Sequence, residues 1–405
     1  MLPVPPRVKA EFLIAYGREF CIRTLVETGT YAGDMMEYAH GHFDRLFSIE
    51  LDREFHETAG RRLKPFKNVS LLHGDSGALL GPLLEKIDER CLLWLDAHRG
   101  WETTAIRQEL VAMREHARKY RDVVLIDDAR GFLGANGYPT IDEIFEWTEA
   151  NLPGYRCTLQ DDIFRLVPTE ENTPLTARTQ LSDFGWRFSS QSDEDGIIHE
   201  IFRRVGTTNR RFVEIGAGNG LENNTAYLLM SGWSGTWIDC DAANINYICS
   251  LVAPQALRGD LVTVMATVRR DNIDAVLSAA GATGDVDLLS VDIDGNDYHV
   301  LGSMTVLQPR VVVLEYNGAH PPPSRWIMEY DPTHRWDGTD YYGASLTAYE
   351  EMMSERGYAL VGCTRNGVNA FFVRSDLVAD RFANPRDVAA HFQPLTYELE
   401  AQKTD

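Results

Sequence analysis

Residues Arg211–Gly220 read RFVEIGAGNG, and the parsing of the whole chain follows from them. A short apolar run (Phe212, Val213, Ile215), broken only by Glu214, leads into glycines at Gly216, Gly218 and Gly220. A buried strand that stops in a glycine-rich turn lets a ligand come closer to the backbone than any side chain would permit. This is a nucleotide-type binding turn, with a plain strand-to-helix turn as the competing reading. It is not the dinucleotide fingerprint. The spacing is E-x-G-x-G-x-G, and Asn223, Asn224 and Thr225 open the next helix where that fingerprint has a third glycine for packing.

A second version of the same pattern lies upstream. Thr24 to Glu27 (TLVE) is an apolar run ending in an acid, followed by Thr28, Gly29, Thr30, Tyr31, Ala32 and Gly33. Further strand-like runs then end at Glu50 (LFSIELD), at Asp75 and Ser76 (VSLLHGDS), at Asp96 (CLLWLDAHRG) and at Asp127 and Asp128 (DVVLIDDAR). YRCTLQ and DIFRLV flank a polar turn and read as a closing antiparallel hairpin. Helical stretches, such as Thr104 to Tyr120 and Ile141 to Ala150, fill the gaps. Strands alternating with helices imply a parallel sheet.

Downstream of a polar stretch from Pro168 to Gly196, the order repeats. Strands end at Glu214, at Asp239 (GTWIDCD), within LVTVMATV, at Asp292 and Asp294 (VDLLSVDIDGND) and at Glu315 (RVVVLEYNG). A hairpin follows around Asn366-Gly367. The interval from Glu27 to Glu214 nearly equals that from Asp127 to Glu315, so one architecture is expected twice. The expected boundaries are residues 1–168, a linker over 169–189, and residues 190–405. The second part is expected to begin with a helix capped by Ser192 or Asp193 that buries Ile197, Ile198, Ile201 and Phe202.

Composition sets outer limits. The chain has 405 residues, more than one ordinary domain, and 44% hydrophobic with 24% charged residues suits two soluble cores. A formal charge of −21 argues against a nucleic-acid groove, which needs clustered Lys and Arg. No window approaches the ~18 apolar residues of a membrane span, and MLPVPPRVKA lacks an apolar signal segment. Six scattered cysteines without a CxxC pair read as reduced core thiols, and a cytoplasmic location is expected.

Both glycine turns resemble motif I of class I S-adenosylmethionine (SAM) dependent methyltransferases. Residues 20–168 are similar to methyltransferase-like domains of bacterial polysaccharide gene clusters, and residues 190–375 to FkbM-type and related sugar or natural-product O-methyltransferases. The resemblance implies an α/β fold of two Rossmann-like domains, each a mostly parallel seven-stranded sheet ending in an antiparallel hairpin. It also implies SAM as cofactor. In the first domain Glu27, Thr28, Gly29, Thr30 and Gly33 would form the turn, Glu50 would hold the ribose, and Asp75 and Ser76 would meet the adenine. In the second, Glu214 would reach the methionine amino group, Gly216, Ala217, Gly218 and Gly220 would make room for sulfonium and ribose, and Asp239 would take the ribose.

The acids at the ends of strands four and five carry the expected chemistry. Asp96, Asp127 and Asp128 should converge on the cofactor crevice, and three such carboxylates repel one another unless a cation neutralises them. Oxygen ligands suit Mg²⁺ or a similar ion. The arrangement resembles the metal site of catechol O-methyltransferase and of metal-dependent macrolide-sugar O-methyltransferases. His98 is then expected as general base. In the second half Asp292, Glu315 and Asn317 form the expected metal set, with Asp294 or His299 as base and His320 as an alternate. The segment His320 to Trp336 reads as a substrate loop or lid, or as a homo-oligomer contact. The expected substrate is a small molecule or glycan hydroxyl, with no nucleic-acid or membrane partner. Open alternatives are a single catalytic domain with the other as scaffold, a non-enzymatic binding module, and transfer of the aminocarboxypropyl group of SAM.

Overall fold

A computed structural model describes residues 6–99, 103–160, 162–169, 180–251 and 253–396. The chain divides into two compact units, Met1–Thr176 and Ala177–Asp405. In the first, the strands are β1 (Thr24–Thr28), β2 (Arg45–Glu50), β3 (Val69–His73), β4 (Cys91–Leu95), the short pair β5 (His98–Arg99) and β6 (Thr103–Thr104), then β7 (Val123–Ile126), β8 (Tyr155–Gln160) and β9 (Ile163–Pro168). The main sheet runs β3-β2-β1-β4-β7-β9-β8. β1 pairs in parallel with β2 on one side and β4 on the other, while β9 runs antiparallel to both β7 and β8.

Every residue of β1, β4 and β7 is buried. Helices cover both faces of such a central parallel strand, and so its sequence is a continuous apolar run. Each fully buried leucine of β4 contributes about 2 kcal/mol by leaving water. The chain winds outward from β1 to β3, then returns to β4 beside β1. At such a reversal the connecting segments diverge, leaving a crevice beyond the carboxyl ends of β1 and β4.

The second unit repeats this with β10 (Arg211–Ile215), β11 (Ser234–Asp239), β12 (Leu261–Met265), β13 (Gly284–Val291), β14 (Leu307–Glu315), β15 (Tyr358–Cys363) and β16 (Asn369–Arg374). Its order, β12-β11-β10-β13-β14-β16-β15, matches the first strand for strand, and β16 again runs antiparallel to its neighbours. Both units are therefore Rossmann-like α/β sheets of the class I methyltransferase type.

Two local expectations need correction. The helix Glu194–Val205 buries Ile197, Ile198, Ile201 and Phe202, but Asp193 makes no side-chain cap. The organising acid is Asp195, whose Oδ2 accepts the backbone N–H groups of Phe188, Ser189 and Ser190 at 2.7–2.8 Å and so fixes the entering chain. The cysteines are all free, yet only Cys91, Cys157 and Cys363 are buried; Cys21, Cys240 and Cys249 are exposed.

Candidate functional site

The first unit has a cavity of about 790 Å³ at the predicted crevice. Gly29, Glu50, Asp75, Ser76 and Asp96 all line it, so residues far apart in sequence meet as expected. Gly29 has φ +84°, and a Cβ there would lie 2.3 Å from the Asp96 carbonyl oxygen. The turn passes that close to the end of β4. Glu50 accepts the Tyr31 N–H through Oε2 and the Asp52 N–H through Oε1, both at 2.8 Å, which locks the acid at the rim of β2. Asp75 caps the helix Ser76–Leu84 through the Gly77 N–H at 2.9 Å.

Glu27, Thr28, Thr30 and Gly33 sit behind this lining. Glu27 points into the fold, where Ser48 Oγ donates to Oε2 and lies 2.5 Å from Thr30 Oγ1. Burial pushes its carboxyl up to about 8, with the Asp96 and Glu50 charges adding to the effect. Reasoning from sequence missed Tyr31, Leu51, Phe55 and Gln108 on the wall, where the Tyr31 and Phe55 rings lie 4.5 Å apart. It also missed Glu109, buried behind Thr28 and Ser76 and raised to about 7 by burial. These side chains follow no motif spacing, and only the fold collects them.

The acids beyond β7 are neutralised from within the chain. Lys9, on the helix Pro6–Glu19, is ion-paired to Asp127 Oδ2 and lies 3.7 Å from Asp128 Oδ1. Arg130 Nη2 holds Asp128 Oδ1 at 2.6 Å and also pairs with Asp162. Asp127 and Asp128, expected as metal ligands, therefore already carry cationic partners, and Asp96 is near enough to act on both Lys9 and Asp127. The side chain of His98 and all of Trp101 lie outside the described residues.

The second unit reproduces the turn. Gly216 has φ +86°, and a Cβ there would lie 1.5 Å from the Asp292 carbonyl oxygen. Gly216 and Ala217 both donate to the Ile238 carbonyl, at 2.8 and 3.2 Å. Asp239 accepts the Gly218 N–H (2.9 Å) and the Asp241 N–H (2.8 Å), as Glu50 does for its own turn. Gly220 packs toward Ile248 and Trp237. Glu214, expected at the methionine amino group, instead accepts the Asn224 N–H (2.8 Å) and the Thr225 hydroxyl (2.5 Å). It pins the segment after the turn, and burial raises its carboxyl to about 7.

At the ends of β13 and β14 the structure regroups the expected metal set. Carboxylate oxygens of Asp292, Asp297 and Glu315 lie within 4.8 Å of one another. Burial, then the charges of its neighbours, raises both Asp292 and Glu315 well above the usual carboxylate range. Asp297 accepts the Ile293 and Gly295 N–H groups at 2.8 and 2.9 Å, which draws it into the cluster and shapes the turn. Glu315 Oε2 and the Tyr349 hydroxyl are buried without a hydrogen-bond partner, and Tyr349 feels the charge of all three acids. Asn317 is not part of this group. Its Nδ2 donates to the carbonyls of Asp340 (2.8 Å) and Tyr342 (2.9 Å), and its Oδ1 accepts from Ala319, so it ties down the loop after β14.

His299 is likewise committed, with Nε2 hydrogen-bonded to the Met328 carbonyl at 2.7 Å. The His320 ring stacks on Trp326 at 4.2 Å. Asp294, with φ +54°, faces Asp239 and His334; burial and then the Asp239 charge raise its carboxyl, while His334 opposes the rise. His334 packs over Gly295 and leaves a buried Nε2 with no partner. Its distance in sequence from the strand-end motif hid it.

Residues 260–360 match a family model described as the methyltransferase FkbM domain. No curated protein matches the chain. Among solved structures, similarity is found to the SAH-bound methyltransferase PaMTH1 of Podospora anserina (15% identity, 41% of this chain, 80% of that one, TM-score 0.31). An O-methyltransferase of Bacillus cereus in complex with SAH gives 16% identity over 40% of this chain and 82% of that one, TM-score 0.31. The O-methyltransferase TomG of Streptomyces achromogenes, in complex with SAM, gives 20% identity over 40% and 80%, TM-score 0.30. At these scores the fold reading rests on the strand orders themselves. Both sheets follow the class I methyltransferase strand order and the second contains the segment that matches the methyltransferase FkbM domain, so the chain carries the class I methyltransferase fold twice.

Proposed function

We propose that this protein is a SAM-dependent O-methyltransferase acting on hydroxyl groups of a carbohydrate or glycosylated natural product. The observation that carries the reading is the repeated cleft. In each unit a left-handed glycine lies against the carbonyl of the strand-four acid, and the acid ending the second strand is bonded to the turn. When bound, SAM supplies an electrophilic methyl group, and a divalent cation would add acidity to a hydroxyl that it touches. Glu50 and Asp239, each held by two backbone N–H groups, keep lone pairs for the ribose hydroxyls.

In the second unit Asp292, Asp297 and Glu315 fit a hard divalent cation, because they offer oxygen donors only and Glu315 Oε2 has no other partner. His334 Nε2 is the free acceptor for the proton that leaves the hydroxyl as its oxygen takes the methyl, and the Asp294 charge acts on the imidazole. In the first unit His98 keeps the role of base. Carbohydrate as acceptor rests on the FkbM match and the resemblance of the sequence.

Titration calorimetry of SAM tests the reading. The wild type is expected to show two sites, with Glu50→Ala and Asp239→Ala each removing one. His334→Ala is expected to leave SAM affinity unchanged and lower methyl transfer by the second unit on the order of 10²-fold or more. Absence of SAM binding would end the methyltransferase reading, and an aminocarboxypropyl adduct in the product mass would replace methyl transfer with the alternative chemistry.

A further inference from the structure

The two units solve one electrostatic problem in different ways. Each gathers acids beyond its fourth and fifth strands, where like charges repel unless compensated. In the second unit the compensation is incomplete: Asp292, Asp297 and Glu315 face one another, and two buried oxygens, Glu315 Oε2 and Tyr349 OH, have no partner. In the first unit Lys9 is brought onto Asp127 and Asp128 by the N-terminal helix, is itself buried, and acts on Asp96 as well. Arg130 takes the outer side of Asp128 and joins it to Asp162.

We infer that Lys9 is the built-in cation of the first unit: its ammonium occupies the place among Asp96, Asp127 and Asp128 where a divalent ion would sit, and this half needs no metal. The inference rests on the methyltransferase reading of the cleft and adds a division of labour, one half with a covalently supplied cation and the other with an exchangeable one. A lysine ammonium is a compact point charge with three donors, suited to bridging several carboxylates. The buried ion pair with Asp127, and Asp128 Oδ1 3.7 Å away, hold that ammonium among the acids. Lys9 is a positioning residue in this scheme, since it sets the geometry and charge of the acids that flank the acceptor hydroxyl.

The test counts bound Mn²⁺ by electron paramagnetic resonance on the full-length chain. Wild type is expected to hold no ion that depends on Asp127 and Asp128, so Asp127→Asn/Asp128→Asn leaves its Mn²⁺ count unchanged. Lys9→Met is expected to gain one Mn²⁺ per chain, and the gain should vanish when Lys9→Met is combined with Asp127→Asn/Asp128→Asn. Lys9→Arg, which restores the charge, should return the count to that of wild type. A wild-type ion lost on Asp127→Asn/Asp128→Asn would overturn the proposal, and this comparison holds even if Lys9→Met does not fold. A folded Lys9→Met with normal SAM binding and no added ion would overturn it too. Failure of the metal reading in the second unit has a separate signature, a wild-type count of zero, which leaves the gain in Lys9→Met as the deciding observation.

Discussion

Gly216 and Gly218 sit two residues apart in one turn, both at positive φ, yet they answer to different constraints. At Gly216 a Cβ would land 1.5 Å from a backbone oxygen, whereas at Gly218 (φ +55°) nothing lies within 4 Å. Gly216→Ala is expected to cost several kcal/mol because β10 and β13 must separate, and Gly218→Ala about 1 kcal/mol of backbone strain alone. Urea denaturation of the two variants would show the difference. Glu214 carries a second residue-scale prediction. Its carboxyl is raised from 4.5 to about 7, so the folded protein holds a proton that the unfolded chain gives up. The associated stability is complete below about pH 4.5 and lost as pH rises through about 7, a change of up to about 3 kcal/mol. Glu214→Gln keeps an acceptor for the Asn224 N–H and is expected to flatten thermal stability across that window, as melting curves at pH 5, 6 and 7.5 would show. The identity of Glu27 and Glu214 as strand-end acids was legible in the sequence, but their direction was not. An acid at the end of a buried strand can face the ligand or the fold, and only the positions of Ser48, Asn224 and Thr225 decide it.

The loop between β14 and the helix Leu346–Glu355 is held as an element. Asn317 reaches across it to two carbonyls, Asn296 and Asp331 bond to each other, Ile327 bridges Ala344, and Gly343 donates to Gly295. These ties place His334 against Gly295, just beyond the end of β13. Asn317→Ala is expected to raise amide exchange across residues 326–345 by tenfold or more while leaving β10–β14 protected, with hydrogen-exchange mass spectrometry as the readout. At this scale the sequence was informative wherever a pattern is local. Continuous apolar runs marked β4, β7, β13 and β14, and Asn366-Gly367 lies in the turn between β15 and β16. It was uninformative where an element is fixed by distant partners. Asp297 lies one turn beyond Asp292 in a segment with three aspartates, and no spacing rule singles it out as the one bonded to Ile293 and Gly295.

At the scale of the whole chain, the duplication read from matching intervals appears as two sheets with one strand order, and what it concealed is the divergence between them. Lys9 is 118 residues from Asp127 and precedes every motif, so nothing in the sequence tied it to the strand-end acids. The divergence gives a test in which each half is read with the other silenced. With Glu50→Ala in place, the remaining methyl transfer is expected to fall at least tenfold on adding EDTA; with Asp239→Ala in place, it should be unaffected. The free thiols turn this asymmetry into an experimental handle. Cys240 follows Asp239 directly, at the carboxyl end of β11, and is exposed, as is Cys249 on the helix Ala242–Leu251, while exposed Cys21 precedes β1 at the amino end of that strand. Cys91, Cys157 and Cys363 are shielded inside. A thiol-reactive fluorophore would therefore attach at Cys240 beside the second glycine turn, at Cys249 on the helix that follows it and at Cys21 in the first unit, and Cys21→Ser/Cys249→Ser would leave a single reporter next to Asp239.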